Sequence, residues 1–166
     1  VTATLQCAGS RRDELAAVRP IPAEVLWGSD AISTAEWRGV LLRDVLQAAG
    51  AKADARYVAF TGLDTARKAG KRVHFGGSIS LAKAQSPEVL LAYAMNDAPL
   101  LPEHGFPLRA LVPGYIGARS VKWLQEINVQ TQPSTNYFQA HEYKTFPPDV
   151  TKETADWEKG KTLAEN

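Results

Sequence analysis

The apolar residues of this chain fall into short segments, and the longest uninterrupted one runs from Val89 to Met95. A segment of that length suits a strand buried on both faces, and it falls far short of the roughly 20 residues that a membrane-spanning helix needs. Glycine, proline and polar residues separate the segments, so strands and helices are short and do not alternate regularly. This pattern predicts an α+β fold rather than a doubly wound parallel sheet.

Alternation and helical spacing predict where the individual elements lie. Strands are predicted at residues 1–5, 57–61, 89–95, 108–112 and 121–129. Helices are predicted at 11–18, 37–49 and 80–85, the second ending at Gly50 and the third capped by Ser80. We expect Gly62-Leu63-Asp64 to turn out of the second strand and Asn96-Asp97 to form a hairpin turn.

Length and charge bound the class of protein. With 166 residues the chain suits one domain, and we expect that domain to span residues 1–150, with a polar tail or linker at 151–166. Because the first residues already alternate like a strand and no Met opens the chain, we expect upstream sequence to be missing. Lys and Arg number 19 against 18 Asp and Glu, so there is no net field of the kind that attracts nucleic acid.

Cys7 is the single cysteine, so no internal disulfide can form. It is followed by Ala8 and Gly9 and then by Arg11 and Arg12, and nearby arginines favour the thiolate, which is the form that binds a metal. A lone cysteine more often packs in a core, and this motif by itself favours packing. No His, Cys, Asp and Glu residues have zinc-ligand spacing and no Gly-x-Ser-x-Gly occurs, which disfavours zinc and hydrolytic chemistry.

A second cluster, between residues 104 and 122, combines glycine turns with basic and hydroxyl side chains. Its polar members are His104, Arg109, Arg119, Ser120 and Lys122. Glycine turns expose backbone N–H groups, and Arg and Lys add positive charge, so the cluster suits a bound phosphate or pyrophosphate. A turn between two core strands with solvated basic residues explains the pattern equally well.

Two further clusters are weakly informative. Tyr143 and Lys144 are adjacent, a pairing that usually reflects surface or core packing. The other consists of Arg67, Lys68, Lys71 and Arg72 around Ala69-Gly70. A solvated loop is the favoured interpretation of this basic cluster, and docking of an acidic partner is the alternative.

Taken in order, several motifs resemble the molybdenum-cofactor domain of the sulfite oxidase family, which includes the eukaryotic assimilatory nitrate reductases. They are Thr2-Ala3-Thr4-Leu5-Gln6-Cys7-Ala8-Gly9, Ala31-Ile32-Ser33-Thr34-Ala35, Phe60-x-Gly62-Leu63-Asp64, Leu91-Ala92-Tyr93, His104-Gly105-Phe106-Pro107-x-Arg109 and Val112-Pro113-Gly114. The resemblance runs through almost the whole chain and implies a mixed-sheet, molybdopterin-binding domain with short helices.

The resemblance also implies roles for individual residues. Cys7 matches the thiolate that ligates molybdenum, the remaining ligands coming from the pterin dithiolene and from oxygens. The positions implied to hold the pterin and its phosphate are Asp64, Ser78, His104, Arg109, Ser120, Val121 and Lys122. Arg12, Trp27 and Tyr143 are implied to line the substrate pocket, where Arg12 positions the anion and Tyr143 supplies a hydrogen bond.

The implied activity is oxidation of sulfite to sulfate by oxygen-atom transfer with the molybdenum cofactor, and a c-type cytochrome is the implied electron acceptor. Nitrate reductases typically carry Asn-Arg where this chain has Tyr143-Lys144, so sulfite is favoured over nitrate. A catalytically silent molybdopterin-binding module is the alternative of a different class. Retention of Cys7, Arg12 and Tyr143 together argues against it.

The sequence departs from the family pattern in several places. Ser10 stands where the family commonly has Asn, and the family's preceding arginine-bearing segment, its immunoglobulin-like dimerisation domain and a haem domain are not part of this sequence. A homodimer formed through that missing domain is compatible with these residues. The high alanine content and the lack of a fused haem domain favour a bacterial, periplasmic enzyme, with the mitochondrial intermembrane space as the alternative.

Overall fold

The computed structural model of the protein describes residues 1–52, 54–151, 153–156 and 159–162. The strands are β1 (Thr2–Gln6), β2 (Ile32–Leu41), β3 (Tyr57–Lys68), β4 (Lys71–Ser80), β5 (Leu90–Met95), β6 (Ala98–Pro99), β7 (Arg109–Leu111), β8 (Leu124–Gln130), β9 (Lys144–Thr145) and β10 (Lys161–Thr162). The α-helices are α1 (Arg12–Val18), α2 (Leu42–Ala48) and α3 (Leu81–Ala84). Two 3₁₀ turns, Pro102–His104 and Gly117–Arg119, and a π-helical turn, Phe138–Glu142, lie between strands.

The strands form a five-stranded sheet, a three-stranded sheet and one isolated pair. The first has the order β1-β2-β5-β6 with β7 paired to β5, the second is β4-β3-β8, and the pair is β10-β9. Within the described residues the strand pairings are antiparallel. Sheets combined with a few short helices confirm the predicted α+β class. None of the helices in the described part of the chain has the length and apolarity needed to cross a membrane.

Strand β5 lies between two hydrophobic cores. Leu91 packs in one core with Leu42, Phe60 and Val112, whereas Leu90 packs in the other with Trp37. Because successive side chains of a strand point to opposite faces, an apolar run such as β5 contributes to both cores. The prediction that residues 89–95 form a strand buried on both faces is therefore confirmed over most of its length, although Tyr93 is exposed.

Several local predictions are confirmed. Strand β1 and helix α1 occupy the predicted segments, and Gly50 ends α2 with φ of 69°. The Ser80 side chain caps α3 by accepting a hydrogen bond from the Lys83 N–H at 3.1 Å. Asn96 and Asp97 have φ of 50° and 59°, the left-handed values that a two-residue hairpin turn requires between β5 and β6.

The helix predicted at residues 37–49 is wrong in its first part. Residues 37–41 end β2, where Trp37 pairs with Met95 and Leu41 with Leu90, and α2 begins only at Leu42. A β-bulge between Arg38 and Gly39 brings the β2 backbone against that of β5, with no room there for a side chain. Pairing with β5 therefore overrides the helical spacing of the leucines.

The turn predicted at Gly62-Leu63-Asp64 is also wrong, because β3 continues through it to Lys68. A register shift between Thr61 and Thr65 absorbs these residues, and the Leu63 N–H donates to the Trp123 carbonyl at 2.9 Å. The chain reverses at Ala69-Gly70, where φ is 47° and 77°. The basic cluster of residues 67–72 is thus the tip of the β3–β4 hairpin, and most of its residues are exposed, as the predicted solvated loop requires.

Two other boundaries differ from expectation. The strand predicted at 121–129 begins at Leu124, after Trp123 adopts a left-handed φ of 48°. In the predicted tail, Lys161 and Thr162 pair with Thr145 and Lys144, so this part packs back on the chain. The remainder of the tail prediction falls in part outside the described residues.

Candidate functional site

Cys7 lies immediately after β1 and is held by its backbone. Its N–H donates to the Ala31 carbonyl at 2.9 Å, and its carbonyl accepts the Ser10 N–H at 3.0 Å. The Gly9 N–H points to the sulfur at 3.4 Å. The thiol is half-buried rather than packed in either core. A backbone donor at the sulfur and partial exposure suit a thiolate that binds a metal, in contrast to the packing role that the motif alone favours.

Arg12 folds back over the same turn. A Cβ at Gly9 would lie 2.5 Å from its guanidinium nitrogen Nη2, so the absence of a side chain there leaves room for the arginine. Nη1 donates to the Val25 carbonyl at 2.8 Å and pairs with the Glu24 carboxylate at 3.1 Å. The turn at Gly9 and the loop at Glu24 and Val25 thus hold the Arg12 guanidinium beside the cysteine turn.

A cavity of about 560 Å³ opens next to this turn. Its walls are Ala8, Arg12, Ala23, Glu24, Lys68, His141, Glu142, Tyr143 and Lys144. We call it the oxyanion cavity, because Arg12, Lys68 and Lys144 carry positive charge and two carboxylates alone oppose them. Its residues come from the cysteine turn and the start of α1, the loop between α1 and β2, the β3–β4 hairpin tip, the π-helical turn and the two residues that follow it.

Tyr143 contributes the phenol of this cavity's wall. Burial raises the pKa of Tyr143, and the nearby negative charges of Cys7 and Glu142 raise this pKa further. The Arg119 guanidinium lies 5.9 Å from the Tyr143 ring centre, and its positive charge lowers the pKa of Tyr143 in partial opposition to these effects. Burial lowers the pKa of Arg119 to about 10, which leaves it charged at neutral pH.

A second pocket, of about 270 Å³, opens near the cysteine turn. Its lining residues are Asp64, Phe75, Arg109, Gly117, Ala118, Ser120, Lys122 and Trp123. We call it the pterin pocket. Gly117 connects it to the cysteine turn, because a Cβ at Gly117 would lie 3.1 Å from the Gln6 carbonyl oxygen.

Arg109 is anchored deep in the pterin pocket. It is 6% exposed, its Nη1 donates to the His104 carbonyl at 3.0 Å and its Nη2 donates to the Ser120 carbonyl at 2.9 Å. The Trp37 ring lies 5.0 Å from the guanidinium carbon. Burial lowers the pKa of Arg109 to about 10, so the group remains a cation available to an anionic ligand.

Lys122 and Asp64 complete the polar side of the pterin pocket. Lys122 Nζ donates to the Glu103 carbonyl at 2.8 Å and lies 4.1 Å from the Trp123 ring centre. Burial and the neighbouring Arg109 lower the pKa of Lys122. The Asp64 Oδ1 atom is buried and has no hydrogen-bond partner. A buried acceptor without a donor is costly, so this atom is a place for the N–H groups of a ligand.

The other residues predicted to hold the cofactor make hydrogen bonds or packing contacts within the protein. The Ser120 hydroxyl accepts the Val112 N–H at 3.0 Å, and Val121 packs in the first core. The Ser78 hydroxyl accepts hydrogen bonds from the Ser134 N–H and the Gln139 side chain. His104 contributes its carbonyl to Arg109. Their cofactor contacts stay predictions.

Trp27 lies apart from Arg12 and Tyr143, the two predicted substrate residues that the structure brings together. It is 46% exposed and does not line the oxyanion cavity, although the Trp27 carbonyl accepts the Asp13 N–H of helix α1. Its predicted role at the substrate stays a prediction.

Sequence reasoning missed Glu24, Glu142 and Gln139. Glu24 and Gln139 come from segments without a recognisable motif, whereas Glu142 belongs to the Glu142-Tyr143-Lys144 cluster, in which the sequence assigned it no role. Each becomes significant through a partner in another segment: Arg12 for Glu24, Lys68 for Glu142 and Ser78 for Gln139. No local signal identifies such pairs.

These residues fit a molybdopterin group. The pterin pocket offers the Asp64 acceptor for ring N–H groups and two cations for a phosphate, and Cys7 offers a soft sulfur ligand beside it. Among the described residues, no three His, Cys, Asp or Glu side chains come together as a metal site. A metal at Cys7 therefore requires that a cofactor supply other ligands.

Comparison with known families agrees with this fit. Residues 1–138 match the family described as the oxidoreductase molybdopterin binding domain. The chain belongs to this family. Membership confirms both the resemblance to the sulfite oxidase family and the molybdenum cofactor as the group bound by this molybdopterin-binding domain.

The molybdopterin-binding domain has relatives in several kingdoms. It is 44% identical to human mitochondrial sulfite oxidase, covering 99% of this chain and 30% of the human protein, and 45% identical to Arabidopsis thaliana sulfite oxidase, covering 95% and 42%. It is 39% identical to the NADH nitrate reductase of Ulva prolifera, covering 93% and 18%. The chain thus spans well under half the length of these relatives.

The fold of the molybdopterin-binding domain also occurs in a solved structure. The crystal structure of the sulfane dehydrogenase SoxCD from Paracoccus pantotrophus matches with a TM-score of 0.74 at 24% identity. The match covers 98% of this chain and 37% of that one. It supports the fold assigned above.

Proposed function

We propose that this protein oxidises sulfite to sulfate by oxygen-atom transfer at a molybdenum cofactor and passes the electrons to a c-type cytochrome. One observation carries the proposal: Arg12 and Tyr143 share the wall of one basic cavity at the Cys7 turn. Arginine recognises an oxyanion through parallel N–H donors and keeps its charge throughout the working pH range.

In this proposal residues 1–150 form the cofactor-binding domain. The Cys7 thiolate ligates the metal, Asp64 accepts from the pterin, and Arg109 and Lys122 neutralise the phosphate. The bound cofactor supplies the two-electron oxygen-atom transfer itself. The chain supplies the anchoring contacts and the charge.

In this proposal the chain's own side chains bind and orient the substrate. Arg12 is held by Glu24 and the Val25 carbonyl, so its remaining donors are preorganised for an anion. Tyr143 is protonated at neutral pH, as an ordinary phenol is, and its hydroxyl donates a hydrogen bond to a substrate oxygen. The surplus of positive charge in the oxyanion cavity attracts sulfite and speeds its arrival.

Two observations favour sulfite over nitrate. The Tyr143-Lys144 pair is the one that the resemblance associates with sulfite. The human and Arabidopsis sulfite oxidases are more similar to this chain than the Ulva nitrate reductase is.

The proposal also includes a location and partners. We propose the periplasm, with mitochondria as the alternative because the human relative is mitochondrial by name. A c-type cytochrome as acceptor and a homodimer as the assembly belong to the same proposal.

The experiment is sulfite-dependent ferricyanide reduction by protein verified to contain molybdenum. Turnover that persists in the surface variant Arg38→Ala and falls to background in Cys7→Ser, with both variants folded, supports the substrate class and the ligand together. Near-full activity of Cys7→Ser contradicts the ligand assignment. A molybdenum-loaded protein that reduces nitrate and ignores sulfite contradicts the proposed substrate.

A further inference from the structure

Lys68 is a wall residue of the oxyanion cavity that no motif of the site contains. It is the last residue of β3, directly before the Ala69-Gly70 turn, so the hairpin carries it to the cavity. Its ammonium nitrogen lies 2.5 Å from Oε1 of Glu142, and both side chains are about one-third exposed, at 32% and 33%. The ammonium also lies 5.3 Å from the Phe138 ring centre.

The π-helical turn that Glu142 ends is anchored at its start by buried contacts with β4. Phe138 packs on Phe75 with ring centres 4.6 Å apart. Gln139 is 5% exposed and its amide oxygen accepts the Ser78 N–H. These contacts fix the first residues of the turn, but neither reaches Glu142 or the residue after it.

The residue after Glu142 is Tyr143. Within the described residues, the ion pair with Lys68 attaches the Glu142 side chain to the end of β3. The tether between the hairpin tip and the end of the π-helical turn therefore helps to position the Tyr143 hydroxyl, together with the Arg119 contact on its ring and the β9–β10 pairing that follows.

The same pair affects the charge that a substrate meets. Glu24 and Glu142 are the carboxylates of the oxyanion cavity, and each has a cationic partner, Arg12 and Lys68 respectively. A carboxylate without its cation would repel an oxyanion at close range.

We infer that Lys68 is a positioning residue: its ion pair with Glu142 pins the end of the π-helical turn, holds Tyr143 at the cavity wall and cancels a carboxylate charge that would otherwise face the oxyanion. The inference rests on the proposed function, because it concerns the same cavity and substrate. Lys68 acts through Glu142 and does not itself bind the anion.

Lys71 provides a matched control. It lies directly opposite Lys68 in the β3–β4 pairing, is exposed, and does not line the oxyanion cavity. Lys68→Glu and Lys71→Glu change the net charge equally and sit on the same hairpin. Any difference between them reports the contact with Glu142 rather than the general field of the protein.

The test measures steady-state sulfite kinetics and hydrogen exchange of a peptide covering residues 138–143, both on the molybdenum-loaded protein. We expect Lys68→Glu to raise KM about tenfold with a smaller effect on kcat, because attraction to Glu142 becomes repulsion. It should also speed exchange in the peptide. Lys71→Glu should change both by less than about twofold. The double variant Lys68→Glu/Glu142→Lys, which restores the pair with its charges exchanged, should return both towards the unsubstituted values.

Two results would overturn the inference. Equal effects of Lys68→Glu and Lys71→Glu would reduce the role of Lys68 to general charge. A double variant without rescue, with exchange unchanged in Lys68→Glu, would mean that Lys68 meets the anion directly. If the unsubstituted protein does not oxidise sulfite, the proposed function fails, and the exchange experiment still decides whether Lys68 positions the turn.

Discussion

The pterin pocket and the oxyanion cavity both lie near the cysteine turn and are built in opposite ways. In the pterin pocket, Arg109 is buried and donates to backbone carbonyls. In the oxyanion cavity, Arg12 and Lys68 are part-exposed and held by ion pairs with carboxylates. A charge fixed to the backbone within the core forms part of the folding energy, whereas a charge fixed by a surface pair contributes little to it. Under the proposed function, changes in the pterin pocket should therefore affect both stability and cofactor content, while changes in the oxyanion cavity should affect substrate binding with little effect on stability.

The largest effect expected from this contrast is that of Arg109→Ala. Removing the guanidinium leaves the His104 and Ser120 carbonyls without donors and opens a cavity, so the free energy of unfolding should fall by about 3 kcal/mol. The molybdenum content of purified protein should fall with it. Urea unfolding of the cofactor-free protein and metal analysis measure the two effects, with Arg38→Ala as the exposed-arginine control. Unchanged values of both would remove Arg109 from the pterin pocket.

Arg12→Ala should change sulfite binding strongly and stability little, in contrast to Arg109→Ala. Loss of its pair with Glu24 should change the free energy of unfolding by no more than about 1 kcal/mol, because the pair is at the surface. Losing the anion donor should raise KM for sulfite about tenfold or more. Kinetics and urea unfolding check this on protein with measured molybdenum content. A variant that loses molybdenum and keeps its KM would assign Arg12 to the cofactor instead.

Asp64→Asn sharpens the comparison within the pterin pocket. The buried Oδ1 makes no hydrogen bond, so the cofactor-free variant should unfold within about 1 kcal/mol of the unsubstituted protein. Cofactor retention should still fall several-fold, because an amide accepts hydrogen bonds more weakly than a carboxylate does. Molybdenum content after dialysis is the measurement. Full retention would mean that Asp64 does not meet the pterin.

The smallest effect is expected for Gly117→Ala, where the pterin pocket meets the backbone just before Cys7. The new methyl group would lie 3.1 Å from the Gln6 carbonyl oxygen, which is tight, and the residue before Cys7 must move by a few tenths of an ångström. We expect a loss of about 1 kcal/mol or less in stability and a modest decrease in kcat. Thermal unfolding and sulfite kinetics test it, and a larger loss of kcat than Arg12→Ala causes would contradict the ranking.

The limits of sequence reasoning differ between the two pockets. The cluster at 104–122 was recognisable as a potential anion site because its cations and glycines are close in sequence. The oxyanion cavity joins residues near 12, 24, 68 and 143, and its acidic partners Glu24 and Glu142 have no sequence signal. Similarly, local spacing predicted helix at residues 37–41, where pairing with β5 produces strand. Predictions failed where a partner distant in sequence decides the outcome.

The sequence by itself determined the α+β class and the burial of strand β5 between two hydrophobic cores. It also determined the helix cap at Ser80 and the hairpin turn at Asn96-Asp97. Hydrophobic periodicity, helix capping and turn chemistry each depend on only a few neighbouring residues. Its motifs also determined the family and the cofactor. The tertiary structure alone decided that β3 passes through Gly62-Leu63-Asp64 and carries Lys68 to Glu142. It also decided that the buried Asp64 Oδ1 has no hydrogen-bond partner within the described residues. These outcomes depend on strand register and on burial, and both are set by contacts between segments far apart in the chain.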